Sequence, residues 1–210
     1  PSTTQANYYI ANADNTDSYD GDGVSGIVIW GCTVEKGLFS TSYIPTYGSS
    51  TTRSADDVKV DGTNFSRFYT EGKGESWIVD WQELGEDRTT QSSPMAVYES
   101  SSNRLSIGAK IGGTTTNNLG VYYQAGGGDQ IFLGSSVGTI DKNVSSKVGI
   151  TFKTNDGAVS RDGATPQNDT TITHMYSPTE LRLGRHTDGN YTFCGHLRRL
   201  RYYNKRISNT

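Results

Sequence analysis

Long apolar runs are missing from this 210-residue chain. Its longest, such as GIVIW at 26–30, fall far short of the roughly 20 apolar residues that a spanning helix needs, so no membrane insertion is expected. The opening stretch, PSTTQANYYIANADN, has no basic patch followed by an apolar segment, and so does not read as a secretory leader. Good helix formers are scarce: Ala and Leu supply nine residues each, which argues against a helix-rich fold. Cysteine is limited to Cys32 and Cys194. That is too few for a disulfide scaffold, and without a C-x-x-C pair there is no zinc knuckle or redox motif. Sequence leaves the pairing of the two cysteines undecided, with two free thiols the expected state. Charge of either sign is not in excess either. The 19 Lys and Arg oppose 22 Asp and Glu for a net charge of -3. With a pI near 5.6, this does not suit a nucleic-acid partner.

What is abundant is Thr (26), Gly (25) and Ser (23), together 74 residues, along with 13 Tyr. These types favour turns and strands over helices, and predict an all-β domain. The 32% of hydrophobic residues sit in short clusters rather than being diluted evenly, which argues for a folded chain. Alternation of period two marks strands at 26–35, 75–83, 95–100, 103–111, 120–125, 147–154, 179–185 and 195–207. Between them stand turn-forming clusters such as SSN, AGGGD, TNDG and HTDGN, the rhythm of a sandwich or jelly roll. Helical periodicity is absent throughout. The stretch at 40–57, STSYIPTYGSSTTRSADD, breaks the rhythm and reads as a linker. Residues 1–39 are too few for an independent core and read as the terminal strands of a preceding sandwich, or as an arm that packs on a neighbour; 58–210 has the size of one sandwich.

The segment from Trp30 carries a specific pattern. Trp30, Gly31, Glu35, Gly37, Thr41, Ser42, Tyr43, Ile44, Pro45, Thr46, Thr52, Arg53, Ala55 and Asp56 match W-G-A-Q-L-E-x-G-x-x-x-T-S-Y-I-P-T-x-x-x-x-x-T-R-x-A-D, with a departure at Cys32, Thr33 and Val34. It resembles the junction that ends one β-sandwich module and leads into the next in bacteriophage tail and virion proteins. The C-terminal GHLRRLRYYNKRISN resembles the closing strand of the laminin-G-like (concanavalin A-like) sandwich of the same proteins. The two blocks cover about a fifth of the chain. The resemblance implies a concanavalin A-like/laminin-G-like jelly-roll sandwich with a short N-terminal β segment from a preceding module. It further implies a virion protein of a tail fibre or adhesin on the extracellular phage particle, assembled as a homotrimer with neighbouring virion subunits.

Chemistry-bearing patterns are few. Concanavalin A-like glucanases carry E-x-D-x-x-E on one strand; here Asp80 and Glu83 match the last two positions, but Ile78 stands where the nucleophile must be. Two carboxylates three apart on a strand also point to opposite faces, and the retaining mechanism needs them about 5 Å apart. No catalytic residue is therefore expected. Trp77, Val79 and Trp81 instead define an inward face. Gly21, Gly23 and Gly26 spell G-x-G-x-x-G, but IVIW follows rather than a helix; Gly134, Ser136 and Gly138 spell G-x-S-x-G without the strand-to-helix corner of a nucleophile elbow. His174, His186 and His196 lack ligand spacing for zinc. No cofactor is expected, with calcium as the one candidate: Asp14, Asp17, Asp20 and Asp22 offer oxygen ligands without the order of an EF-hand, and Asn155, Asp156 and Asp162 form a weaker group. The basic run Arg198, Arg199, Arg201, Lys205 and Arg206 alternates with Leu197, Leu200, Tyr202 and Tyr203, and reads as a terminal strand flanked by basic stems.

Aromatic side chains in polar turns point to a ligand. A sugar ring stacks its apolar face on Tyr or Trp while its hydroxyls meet Asn, Asp and Arg. Tyr122 and Tyr123 before AGGGD, and Tyr191 with Asp188 and Asn190, have that composition and are the candidate binding residues; the bland alternative is that these tyrosines fill the core or a subunit interface. The expectation is a non-enzymatic module that binds host-surface glycan or neighbouring virion subunits. The alternatives are a structural capsid-decoration or fibre-spacer module, or an accessory domain of a glycan depolymerase.

Overall fold

A computed structural model describes residues 21–24, 28–35, 42–52, 57–84, 91–109, 118–133, 137–186 and 191–209. The chain divides into two compact units, one of Pro1–Lys36 with Ser40–Thr51 and one of Gly37–Phe39 with Thr52–Thr210.

In the first unit, the strand expected at 26–35 is not formed over its described part, 28–35. Gly31 takes a φ of 69°, which breaks the extended run in its middle, and Val28 and Trp30 lie exposed. Trp30 meets Tyr43 edge-on at 5.9 Å.

The second unit is a sandwich of two antiparallel sheets. Its described strands are β1 (Val58–Asp61), β2 (Glu75–Glu83), β3 (Ser92–Ser100), β4 (Asn103–Ala109), β5 (Leu119–Ala125), β6 (Gly128–Leu133), β7 (Ser145–Lys153), β8 (Asp156–Arg161), β9 (Gln167–Asp169), β10 (Glu180–Leu183) and β11 (Gly195–Tyr203). One sheet runs β1-β10-β3-β4-β5-β6 and the other β11-β2-β7-β8-β9. Alternation builds the core between them. Trp77, Val79 and Trp81 of β2, with Val148, Ile150 and Phe152 of β7 beside them in the same sheet, face Leu105 and Ile107 of β4 and Val121 and Tyr123 of β5 in one buried cluster. Each such fully buried side chain contributes roughly 1.5–3 kcal/mol.

Turn chemistry sets the registers. Ala125 pairs with Gly128, and the two loop residues between them, Gly126 and Gly127, have φ of 63° and 78°, the left-handed pair that a tight hairpin requires. Asn155 supplies the positive φ between β7 and β8.

Three features depart from expectation. A five-residue helix, α1 (Gly62–Ser66), follows β1, although no helical period is visible in the sequence. It seats Phe65 in the core, from which a ladder of rings runs through Tyr69 (5.0 Å) and Tyr202 (5.5 Å) to Trp77 (4.6 Å). Strands β1, β6, β8 and β9 lie outside the strands marked from the sequence; β8 and β9 form over turn-cluster residues, where pairing with a neighbour overrides weak propensity. Finally, β11 does not alternate strictly. A bulge between Leu197 and Arg199 lets Leu197 pair with Trp81 and Leu200 with Val79, so both leucines turn to the core instead of to opposite faces. Arg198 and Arg199 are exposed, and Arg198 Nη2 donates to Gln82 Oε1 at 2.9 Å.

Candidate functional site

Adjacent tyrosines of β5 part ways. Tyr123 points inward and is fully buried, with its ring 4.4 Å from Phe152 and 5.0 Å from Tyr176. Its hydroxyl donates to His174 O at 3.1 Å and accepts from Tyr176 N at 3.0 Å, and burial raises its pKa. No face of that ring is left for a ligand, so the expectation of a binding role for Tyr123 is corrected: period two carries it into the core.

Tyr122 points outward from the six-stranded sheet. Its hydroxyl donates to Asp129 Oδ1 at 2.6 Å, and the Arg104 guanidinium lies 5.3 Å from its ring centroid. Partial burial, reinforced by the bond to Asp129, pushes the hydroxyl up to about 12, so it remains a donor at any physiological pH. Gln124 Nε2 donates to the same Asp129 oxygen at 3.4 Å. Register extends this group across the sheet. Arg104 pairs with Gln124 on one side and with Tyr98 on the other, and Tyr98 pairs with Glu180. Arg182 stands 5.8 Å from the Tyr98 ring and donates to Glu180 Oε1 at 2.6 Å. Between the larger side chains of Arg182 and Tyr122 the paired positions are Ala96 and Ser106, both small and buried. Ser106 Oγ and Gln124 Oε1 have no hydrogen-bond partner among the described residues. This face therefore combines aromatic planes, guanidinium donors, a carboxylate and an amide on a rigid backbone, the mixture that a polyhydroxylated ring engages.

The sequence flagged Tyr122 but missed Tyr98, Arg104, Gln124, Asp129 and Arg182. They come from five different strands and share only an outward parity, a signal that means nothing until the strands are placed side by side. Tyr191 is half-buried in the β10–β11 connection, its ring 5.2 Å from His186 and its carbonyl accepting from His186 N at 3.3 Å. Asp188 and Asn190 lie outside the described residues.

The calcium candidates fare as follows. Asp14, Asp17 and Asp20 lie outside the described residues, and Asp22 Oδ1 accepts from Val24 N at 2.9 Å. Asp156 and Asp162 flank the length of β8, roughly 20 Å apart at strand rise, and do not share a cation. Asp156 Oδ1 is met by Arg206 at 2.6 Å, while Asp162 Oδ1 accepts from Lys147 N at 2.7 Å. Among the described residues no cluster of three His, Cys, Asp or Glu forms a metal site. Asp80 faces outward beside Lys147, whereas Glu83 is buried on the opposite face, so these two carboxylates do not flank a common water. Cys32 is exposed, Cys194 is half-buried, and both are free thiols.

No protein-family model matches the chain, and no curated protein does. Solved structures do. The CBM40 of the Ruminococcus gnavus IT-sialidase, bound to alpha2,3 sialyllactose, superposes with a TM-score of 0.50 at 13% identity, over 65% of this chain and 79% of that one. NanB, solved with Optactamide, gives 0.52 at 14% identity over 72% of this chain and 25% of its own length. At such identities the likeness speaks for the architecture: the chain has the jelly-roll β-sandwich fold that carbohydrate-binding modules share.

Proposed function

We propose that the sandwich is a non-enzymatic glycan-binding module of a bacteriophage virion, a tail fibre or adhesin that displays the outer face of its six-stranded sheet to host-surface polysaccharide. The observation that carries this reading is the outward group of Tyr122, Arg104, Gln124 and Asp129, flanked by Tyr98 and Arg182. The virion setting draws on the junction pattern from Trp30 to Asp56 and on the closing strand at 195–209. A homotrimer suits such a face, because shallow sites gain strength from copy number.

The test is direct. The purified chain is titrated with host capsular and lipopolysaccharide fragments, and new reducing ends are sought in parallel. Saturable binding that weakens in Tyr122→Ala, with no reducing ends released, supports the module; turnover of the polysaccharide overturns its non-enzymatic character.

A second reading, a structural spacer that contacts neighbouring virion subunits, is favoured by Val24, Val28, Trp30 and Tyr47, whose apolar side chains are exposed in the N-terminal unit. Stable attachment to purified particles without any glycan hit would favour that reading over the adhesin.

A further inference from the structure

The five-stranded sheet has an outer face of its own, and the chain after β11 folds back over one end of it. Ser76 and Thr151, paired across β2 and β7, are buried hydroxyls that anchor this strap. Their oxygens lie 2.7 Å apart, both accept from Ile207 N at 3.0 Å, and Ser76 Oγ donates to Lys205 O at 2.8 Å. Arg206 adds a 2.6 Å bond to Asp156. A second wall comes from the turn after β8. Asp162 and Gly163 take φ of 51° and 80°, Lys147 and Asp162 bond reciprocally at 2.7 and 2.9 Å, and Ser160 Oγ donates to Ala164 O at 2.6 Å.

Between strap and turn lies a cleft of about 410 Å³. Its floor is Ile78, Gly149 and Ala158, and Ser160, Thr165 and Asn209 bring hydroxyl and amide groups to its lining. The space is opened by a residue choice: a Cβ at Gly149 would meet no atom within 4 Å, so a larger side chain there would simply fill the cleft. Among the described residues no ionisable side chain lines it. An ionic ligand would shed its water there without gaining a counter-charge, so the occupant is neutral. The floor is aliphatic rather than aromatic and suits a methyl group, while the lining hydroxyls and amide suit a ligand with several hydroxyls. The volume falls within the roughly 300–1,000 Å³ of small-ligand sites.

We propose that this cleft is a second carbohydrate subsite, specific for a neutral sugar residue bearing a methyl substituent, in which the methyl rests on Ile78, Gly149 and Ala158. The assignment rests on the glycan-binding reading, and places the second contact on the opposite sheet from Tyr122. One polysaccharide chain or two would then engage both faces of the sandwich.

The test uses the full chain with isotope-labelled amides and four probes: L-fucose and L-rhamnose, with L-galactose and L-mannose as the matched sugars that carry a hydroxymethyl in place of the methyl. The methyl-bearing probes shift the amides of Gly149, Ala158 and Gly163, and bind about tenfold tighter than their controls. Gly149→Val weakens them tenfold or more, and Gly149→Ala less. The shift map is read on the unaltered chain, and so decides the matter even if the valine variant fails to fold. Shifts confined to the Tyr122 face overturn the subsite while leaving the glycan-binding reading intact. Equal binding of L-fucose and L-galactose overturns the methyl specificity. Occupation of the cleft only by an apolar side chain of a second copy, seen as intermolecular contacts without any sugar effect, also overturns it.

Discussion

The hydroxyl of Tyr176 donates a 2.8 Å hydrogen bond to Oε1 of Glu75, and both side chains are buried. Burial pushes the Glu75 carboxyl up to about 7, and the bond from Tyr176 offsets only part of that rise. The folded chain thus holds this proton more tightly than an unfolded chain, whose carboxyl ionises near 4.5. The stabilising contribution is complete below about pH 4.5 and is lost as the pH rises through 7, a difference on the order of 3 kcal/mol. Glu75→Gln has no proton to lose. Urea unfolding from pH 4.5 to 8 is expected to show the variant gaining on the parent chain by that amount as the pH rises; parallel curves would refute the assignment.

The neighbouring tyrosines of β5 give opposite phenotypes. Tyr123→Ala removes a fully buried ring and is expected to cost about 3–5 kcal/mol of stability. Tyr122→Ala leaves the core intact and lowers glycan affinity about tenfold, and Arg104→Ala acts likewise. Thermal melts and titration calorimetry on the same preparations separate the two effects.

Gly108 is where β3 and β4 approach closely. A Cβ there would stand 1.9 Å from Ser92 O, next to the irregular pairing between Ser92 and Met95. Gly108→Ala is expected to destabilise by roughly 3 kcal/mol or more, because backbone rather than a movable side chain blocks it. Gly149→Ala, with open space around the added methyl, serves as the tolerated comparison in the same denaturation series.

The β11 bulge absorbs one residue, so Arg198 can be changed or removed without moving either leucine from the core. Arg198→Ala removes one exposed side chain and its bond to Gln82, and is expected to change stability by less than about 0.5 kcal/mol. Deleting Arg198 leaves Leu197, Arg199 and Leu200 in strict alternation with both leucines still paired to Trp81 and Val79, and is expected to cost less than about 1 kcal/mol. A melting temperature lowered in the deletion by the equivalent of about 2 kcal/mol or more would mean that Arg198 is not the extra residue of the bulge.

Several elements were legible from pattern alone because their information is local. The W-x-V-x-W alternation of β2 gave a strand whose bounds, Glu75–Glu83, match those expected, and AGGGD marked a turn whose two central glycines take left-handed φ. The inward and outward carboxylates of Glu83 and Asp80 followed from the same parity. Other elements were not legible. The three residues of β9, Gln167–Asp169, have no strand propensity and exist because β8 offers them an edge. The bulge at Arg198 depends on what Trp81 and Val79 present across the pair. At 28–35, an apolar run looked like a strand, yet Gly31 turns it aside.

The sequence by itself determined that this chain builds strands: abundant Ser, Thr, Gly and Tyr, with scarce Ala and Leu, leave helices little support, and period two sorts each strand into a wet and a dry face. It could not determine which wet faces become sites. Arg104, Tyr122 and Asp129 meet only because three strands pair in one register, and the cleft over Gly149 exists only because the tail after β11 returns across its own sheet. Parity is a property of one strand, whereas a binding surface is a property of several, and the alignment among them is fixed by burial of the core.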